Sequence, residues 1–155
     1  IRDLLAFEPA GRGTDIALAL DRLNRTLKRR AIIFLVSDFR TNGHAEMASS
    51  LEQALLVTNR RHDLVAVTVS DRREMEWADA GLVSLHDAET GELVWVDSGS
   101  AAWRAAFAAR AAAGVAARQA AFRRAQVDHI DVCVGDDYVE PLLRFFKARA
   151  RRWRR

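Results

Sequence analysis

The fold is decided by the stretch Ala31-Ile-Ile-Phe-Leu-Val-Ser-Asp38, in which six apolar residues follow one another without a polar break. A run of this length is short for a helix, and a strand without polar alternation is typical of a parallel sheet that is covered on both faces. A second, largely apolar run, Leu64-Val-Ala-Val-Thr-Val69, follows further along the chain. We therefore expect two buried strands.

Helical patterns lie before and between these two strands. The first helix has its apolar residues at spacings of 4, 3 and 4, at Ile16, Leu20, Leu23 and Leu27. Thr14 is a suitable N-cap for this helix, because its hydroxyl can accept a hydrogen bond from a free backbone N–H group. A second helix is predicted from about Ala45 to Arg60. Strands that alternate with helices in this way indicate right-handed crossovers and a mostly parallel sheet.

An insertion follows the second strand. The runs Leu82-Val-Ser-Leu85 and Leu93-Val-Trp-Val96 flank the polar segment Asp87-Ala-Glu-Thr-Gly91, which is the composition of a β-hairpin. A long alanine-rich helix is predicted after Ser100, followed by a strand from Val127 to Val134. A last helix, predicted to begin near residue 136, completes the alternation.

These elements predict the fold class α/β, in the form of a Rossmann-like, doubly wound, mostly parallel sheet with an inserted β-hairpin. The chain has 155 residues, of which 50% are apolar and 29% charged, and this is typical of one folded domain. Trp103, Phe107 and Phe122 lie at helical spacing and are predicted to belong to the core. Cys133 is the single cysteine, and we expect it to be a buried, reduced thiol.

The end of the chain differs from the rest in charge. Residues Lys147 to Arg155 contain basic side chains and no acidic one, and they are predicted to form a solvated basic tail after a domain that spans residues 1–146. No apolar run approaches the ~18 residues of a membrane helix, and no signal peptide is recognisable. We expect a cytoplasmic location, while membrane association of a longer, full-length protein stays open.

Polar residues follow the predicted strands at the edge where ligands bind in parallel sheets. Asp38, Asp71 and the segment Gly135 to Asp137 come directly after strands and are predicted to share this edge. Thr14 begins a helix after a glycine-rich loop, so its hydroxyl is expected near Asp38. Oxygen ligands of this kind suit Mg²⁺. On spacing alone, however, we favour the simpler interpretation, in which Thr14 is a plain N-cap and Asp38 a turn residue.

Four segments together resemble a bacterial protein family catalogued as domain of unknown function 58. They are Gly11-Arg-Gly-Thr-Asp15, Arg29-Arg-Ala-Ile-Ile-Phe-Leu-Val-Ser-Asp-Phe39, Arg61-His-Asp-Leu-Val-Ala-Val-Thr-Val-Ser-Asp71 and Leu85-His-Asp-Ala-Glu-Thr-Gly-Glu92. The resemblance covers nearly the whole chain, in the family's order and spacing. It implies a von Willebrand factor A-like fold, of which this chain would be the incomplete, C-terminal half.

The resemblance also implies a function and a site. Such proteins are often encoded beside MoxR-type AAA ATPases, so the implied role is a protein-binding adaptor that acts with such an ATPase on a client protein, and not an enzyme. In von Willebrand factor A-like folds a metal-ion-dependent adhesion site combines an Asp-x-Ser-x-Ser motif, a threonine and a later aspartate. Thr14 matches the threonine and Asp38 the later aspartate. The neighbouring residues Gly13, Ser37 and Phe39 are then predicted to contact the partner.

This chain departs from the adhesion-site pattern in one respect, because nothing in it matches Asp-x-Ser-x-Ser. One hydroxyl and one carboxylate are a poor ligand set for Mg²⁺, which dehydrates reluctantly. We therefore expect Mg²⁺ in the complete domain and no metal in this part alone. In the strand order 3-2-1-4-5-6, Ala31 to Ser37 would be the fourth strand without its neighbour, and its free edge is expected to pair with another chain or to self-associate.

Two other classes of function stay open. A metal-dependent hydrolase or phosphoryl-transfer enzyme would also use carboxylates at this edge, with Asp71 and Glu74 as an acid/base pair, but the chain lacks a phosphate-binding loop or a nucleophile elbow. A nucleic-acid or membrane-surface binder would depend on the basic tail, and we expect no specific nucleic acid as a partner. The histidines His44, His62, His86 and His129 have no metal-ligand spacing and are predicted to lie at the surface or in caps.

Overall fold

The computed structural model describes residues 14–40, 45–86 and 91–153. Four helices and five strands lie in this part of the chain: α1 (Ile16–Thr26), β1 (Ile32–Ser37), α2 (Ala45–Arg61), β2 (Asp63–Ser70), β3 (Leu82–His86), β4 (Leu93–Asp97), α3 (Ala101–Arg124), β5 (Asp128–Cys133) and α4 (Val139–Trp153). A 3₁₀-helix, Arg72–Glu74, follows β2. The predicted α/β alternation is confirmed, with boundaries close to those expected.

The main sheet has three parallel strands in the order β1-β2-β5. Ile33 of β1 pairs with Leu64 of β2, and Val67 of β2 pairs with Ile130 of β5. Strands β3 and β4 form a separate antiparallel pair, with Leu82 opposite Asp97, so the predicted hairpin strands are also confirmed. In the described residues, β1 pairs with β2 alone and therefore lies at an edge of the sheet.

One face of the main sheet forms the principal core. Leu20 of α1, Leu55 of α2 and Phe122 of α3 cover this face and pack against Leu64 and Ala66 of β2. Each is at most 2% exposed, and full burial of a large apolar side chain stabilises the fold by roughly 1.5–3 kcal/mol. A hydrogen bond of 2.8 Å from the Asn24 amide to the Thr58 hydroxyl joins α1 to α2 inside this core. Packing therefore holds the helices against the sheet, and the polar contact holds α1 against α2.

The opposite face is covered only in part. Helix α4 packs Leu142 and Phe145 against Val65, Val67 and Ile130, and this contact leaves β1 largely uncovered. The side chains of β1 on this face are exposed by 47 to 61%, at Ile32, Phe34 and Val36. The prediction that this strand is buried on both faces is therefore wrong in this chain, whereas the same prediction for β2 is confirmed.

Three smaller predictions are also corrected. Asp15, and not Thr14, caps α1, because its carboxylate accepts a hydrogen bond of 2.9 Å from the Leu18 N–H group. His62 is only 2% exposed, so it is neither a surface nor a capping residue. Cys133 is half-buried and not enclosed in the core. The burial of His62 and of Cys133 depends on how the elements pack, which the local pattern does not specify.

The basic end of the chain continues α4, which runs unbroken to Trp153. The predicted boundary at residue 147 therefore falls inside a helix. Arg149 is only 17% exposed and forms ion pairs with Asp63 and with Asp128, the latter at 3.9 Å. Its guanidinium also lies 5.6 Å from the centre of the Phe145 ring. This part of the basic segment is consequently a structural contact and not a solvated tail. None of the helices among the described residues is long and apolar enough to cross a membrane.

Candidate functional site at the carboxyl edge of the sheet

The loop after β1 is a tight turn built by its own side chains. The Ser37 hydroxyl accepts a hydrogen bond of 3.0 Å from the Phe39 N–H group, and Asp38 Oδ1 accepts one of 3.2 Å from the Arg40 N–H group. The Ser37 hydroxyl also donates to Asp38 Oδ1 at 3.4 Å. Phe39 has a φ of 53°, which is uncommon for a bulky residue and is maintained here by the surrounding contacts.

Phe39 anchors this loop to the core. Its side chain is 6% exposed, and its ring meets the Phe122 ring edge to face with 5.0 Å between the centres. A ring enclosed in this way offers little surface to a partner, in contrast to the contact predicted for Phe39. Its role in the structure is to fix the loop, while Ser37 and Asp38 stay exposed or half-exposed at the edge.

The loops after the three parallel strands meet at one edge, as predicted. Arg40, after β1, forms an ion pair of 3.1 Å with Glu74, after β2. Arg72, also after β2, forms one of 2.6 Å with Asp136, after β5. The charge of the Asp136 carboxylate raises the pKa of Arg72 above its ordinary value, and a hydrogen bond between the Arg72 guanidinium and the Cys133 side chain acts in the same direction.

Asp71 and Glu74 have structural partners at this edge. The Asp71 carboxylate accepts a hydrogen bond of 2.8 Å from the Arg73 N–H group and so caps the 3₁₀-helix. Glu74 is held in its ion pair with Arg40. These structural contacts account for both carboxylates.

A groove opens beside these loops, between α2 and α3. Its volume is about 710 Å³, and its lining includes Asp38, Arg40 and Glu74 from the edge of the sheet. Most of the remaining surface is apolar and comes from Leu51, Leu55, Met75, Phe107, Val115 and Phe122. Phe107 also belongs to a half-buried aromatic cluster with Trp77 and Trp103. An apolar groove with a few polar groups at the carboxyl ends of parallel strands is the usual form of a ligand site in α/β proteins.

Arginines of α3 line one wall of the groove. Arg124 binds Glu52 of α2 through two hydrogen bonds, of 2.8 and 2.7 Å, and these bonds lower the pKa of the Glu52 carboxyl below its ordinary value. Arg118 reaches the opposite side and donates a hydrogen bond of 3.4 Å from Nη1 to the Asp38 carbonyl oxygen. Arg110 lines the groove about two helical turns earlier. None of these arginines was identified from the sequence.

The two residues predicted to bind a metal are both exposed. Thr14 directly precedes the cap of α1, and Asp38 directly follows β1. The hydrogen bonds of the described residues do not join one to the other, and Gly13 lies outside the described residues. No group of three or more His, Cys, Asp or Glu side chains in the described part of the chain could hold a metal ion.

The described residues define an α/β protein with a three-stranded parallel sheet and an open groove at its carboxyl edge. The chain belongs to the family described as protein of unknown function DUF58, whose profile matches residues 1–117. The resemblance to this family noted in the sequence is thus confirmed.

Uncharacterized mycobacterial proteins are similar to most of the chain. An uncharacterized protein of Mycobacterium avium is 32% identical over 143 residues, which are 92% of this chain and 80% of that protein. Uncharacterized proteins of Mycobacterium bovis and Mycobacterium tuberculosis are also 32% identical over 143 residues. The matched region is 43% of each of these longer proteins, so the chain spans less than half of their length. No solved structure matches the chain significantly.

Proposed function

We propose that this chain is a protein-binding adaptor module that captures its partner at the carboxyl edge of the sheet. The observation that carries this proposal is the groove between α2 and α3, which is open, mainly apolar and bordered by Asp38. Apolar grooves with a polar rim suit the side chains of another protein. The rim carboxylates Asp38 and Glu74 are engaged in structural contacts, with the Arg40 N–H group and the Arg40 guanidinium respectively.

The von Willebrand factor A-like identity of the fold is part of the same proposal. The order β1-β2-β5 is the order expected for the strands 4-5-6 of a doubly wound sheet. Asp38 follows the strand at the free edge, where an additional strand and its loop would lie beside it. In the complete domain, further ligands from such a loop would join Asp38 and Thr14 in holding Mg²⁺, which would leave a coordination position for a partner carboxylate.

The proposed partners are a MoxR-type AAA ATPase and a client protein. This pairing follows from the family resemblance, and the groove offers the place where one of the two would bind. A protein that presents one partner to another needs a rigid site, and the anchoring of the Asp38 loop through Phe39 supplies that rigidity. We therefore place the adaptor's contact surface on the loop after β1 and on the adjoining wall of α3.

Capture of a nucleotide-free MoxR-type ATPase by the immobilised full-length protein tests the proposal. We expect capture in Mg²⁺, and loss of most of it on Asp38→Ala. The control is Asp21→Ala, because Asp21 is an exposed carboxylate on α1 that pairs with Arg25 and does not line the groove. Equal capture by the two variants would overturn the role of the groove, and equal capture in a chelator would overturn the metal part.

A further inference from the structure

Two arginines of the groove, Arg110 and Arg118, are not paired with a carboxylate of the described residues. Arg118 makes a single described hydrogen bond, to the backbone oxygen of Asp38, and its Nε is buried without a hydrogen-bond partner among the described residues. Arginine carries five N–H donors, so most of this donor capacity is unused. Arg110 lines the same groove, and the ion pairs found in the described part of the chain do not include it.

The other two arginines of the groove are already paired with carboxylates. Arg40 is bound to Glu74 at 3.1 Å and Arg124 to Glu52 at 2.7 Å. A guanidinium in such a pair gains little from a further anion, because its charge is compensated. Recognition of an incoming anion therefore falls to Arg110 and Arg118, on the same wall of the groove.

The spacing and surroundings of these arginines define what they would bind. Arg110 and Arg118 are eight residues apart on one helix, which is about 12 Å along its axis. Apolar side chains from Phe107, Val115 and Phe122 lie along the same helix and also line the groove. An extended peptide advances roughly 3.3 Å per residue, so two acidic residues about four positions apart would match the two arginines.

We infer that the groove takes an acidic–apolar peptide segment of the partner protein, with carboxylates paired to Arg110 and Arg118 and apolar side chains between them on the groove floor. This inference rests on the proposed binding function and adds the chemistry of the ligand. A polyphosphate chain such as nucleic acid suits the groove less well, since the lining is mainly apolar and offers only two arginines without a paired carboxylate among the described residues. Guanidinium groups bind carboxylates through paired, charge-assisted hydrogen bonds, and the fixed geometry of these bonds makes the recognition specific.

Fluorescence anisotropy with a labelled peptide tests this inference. The probe is Ser-Glu-Leu-Ala-Leu-Glu-Ser, and the matched probe has glutamine in both glutamate positions. We expect saturable binding of the first probe at low salt and binding of the second that is about tenfold weaker, because each of the two partly solvated charge-assisted pairs contributes about threefold. Absence of saturable binding up to about 1 mM, which corresponds to a very weak complex, or equal binding of both probes, would overturn the inference.

Three variants locate the binding. Arg118→Gln and Arg110→Gln are each expected to weaken binding of the glutamate probe severalfold to tenfold. Arg123→Gln is the control, since Arg123 is an exposed arginine of the same helix that does not line the groove. Equal weakening by the control would show a general charge effect and would overturn the assignment, as would tighter binding of a DNA oligonucleotide of similar length that depends on the same arginines.

The measurement is made in a chelator and without the ATPase, so that it is independent of the metal and of the proposed partner. If Mg²⁺-dependent capture of the ATPase persists while the glutamate probe fails to bind, the inference about the ligand is wrong and the adaptor function stands. If the probe binds through Arg118 while the ATPase is not captured, the groove binds acidic peptides, and the proposal that a MoxR-type ATPase is the partner is wrong.

Discussion

Arginines lie at both ends of the parallel strands of the main sheet, but Arg149 at the amino end is paired with carboxylates of the described residues, whereas Arg110 and Arg118 at the carboxyl end are not. At the amino edge, Arg149 of α4 is paired with Asp63 and Asp128, the first residues of β2 and β5, and all three are partly buried. At the carboxyl edge, Arg110 and Arg118 line an open groove with no carboxylate of the described residues paired to either. A paired arginine holds two strands and a helix together. An unpaired one in a groove is available for a ligand.

This difference distinguishes arginines that stabilise the fold from arginines that are free to bind a partner protein. The arginine at the amino edge has its partners inside the fold, so its removal affects stability. The arginines at the carboxyl edge have theirs, on our proposal, in another protein, so their removal affects binding and leaves stability almost unchanged. The substitutions below measure how far this distinction holds.

The largest expected effect is that of Arg149→Met. The change leaves Asp63 and Asp128 without their cation at partly buried positions, with side-chain exposures of 18% and 31%. We expect the free energy of unfolding to fall by about 2 kcal/mol, less than for a fully buried pair because solvent screens part of the interaction. Urea denaturation measures it. Arg151→Met, at an exposed position of the same helix, is the control and should change little, and equal losses would show that only helix composition matters.

A smaller effect is expected for Glu52→Gln, which removes the ion pair with Arg124 between α2 and α3. Arg124 lowers the pKa of the Glu52 carboxyl in the folded state. The pair therefore contributes stability above the unfolded pKa of glutamate, and this contribution disappears as the pH falls through the lowered folded pKa. Urea midpoints should differ slightly between the two proteins at pH 7 and coincide in strong acid. A difference that grows on acidification would contradict the assignment.

The smallest change in stability is expected for Arg118→Met. This substitution removes a side chain with one long hydrogen bond of 3.4 Å and a buried Nε that has no partner among the described residues. The lost hydrogen bond and the relief of an unsatisfied donor nearly cancel, so we expect the free energy of unfolding to change by less than about 0.5 kcal/mol. A loss comparable to that of Arg149→Met would show that Arg118 is a structural residue, and would remove the contrast between the two edges.

The sequence predicted most of the fold because its strong signals are local. The apolar runs of the four strands β1 to β4 are specified by neighbouring residues, and their boundaries were close to the structure. Burial of β1 on both faces was predicted wrongly. An apolar run shows that a strand could be buried, but it does not show whether another element packs on each of its faces. His62 was missed for the same reason, because a residue between a helix and a strand gives no sign of being enclosed.

The candidate site was predicted only in part. The position of Asp38 followed from the rule that loops after parallel strands share an edge, and the structure places it on the rim of the groove. Arg110 and Arg118 gave no signal, because arginines on an alanine-rich helix are ordinary for a solvated face. What distinguishes them is the absence of a paired carboxylate in the described structure, which depends on the approach of α2 and α3 and not on any local motif.

The most direct test of the central claim maps binding onto the structure. Amide chemical shifts of the isotope-labelled protein, followed during titration with the glutamate peptide, report which backbone positions sense the ligand. The account predicts changes concentrated at residues 38–40 and along α3 from Arg110 to Arg124. Changes confined instead to the hairpin of β3 and β4, or to the exposed face of β1 and α4, would contradict it.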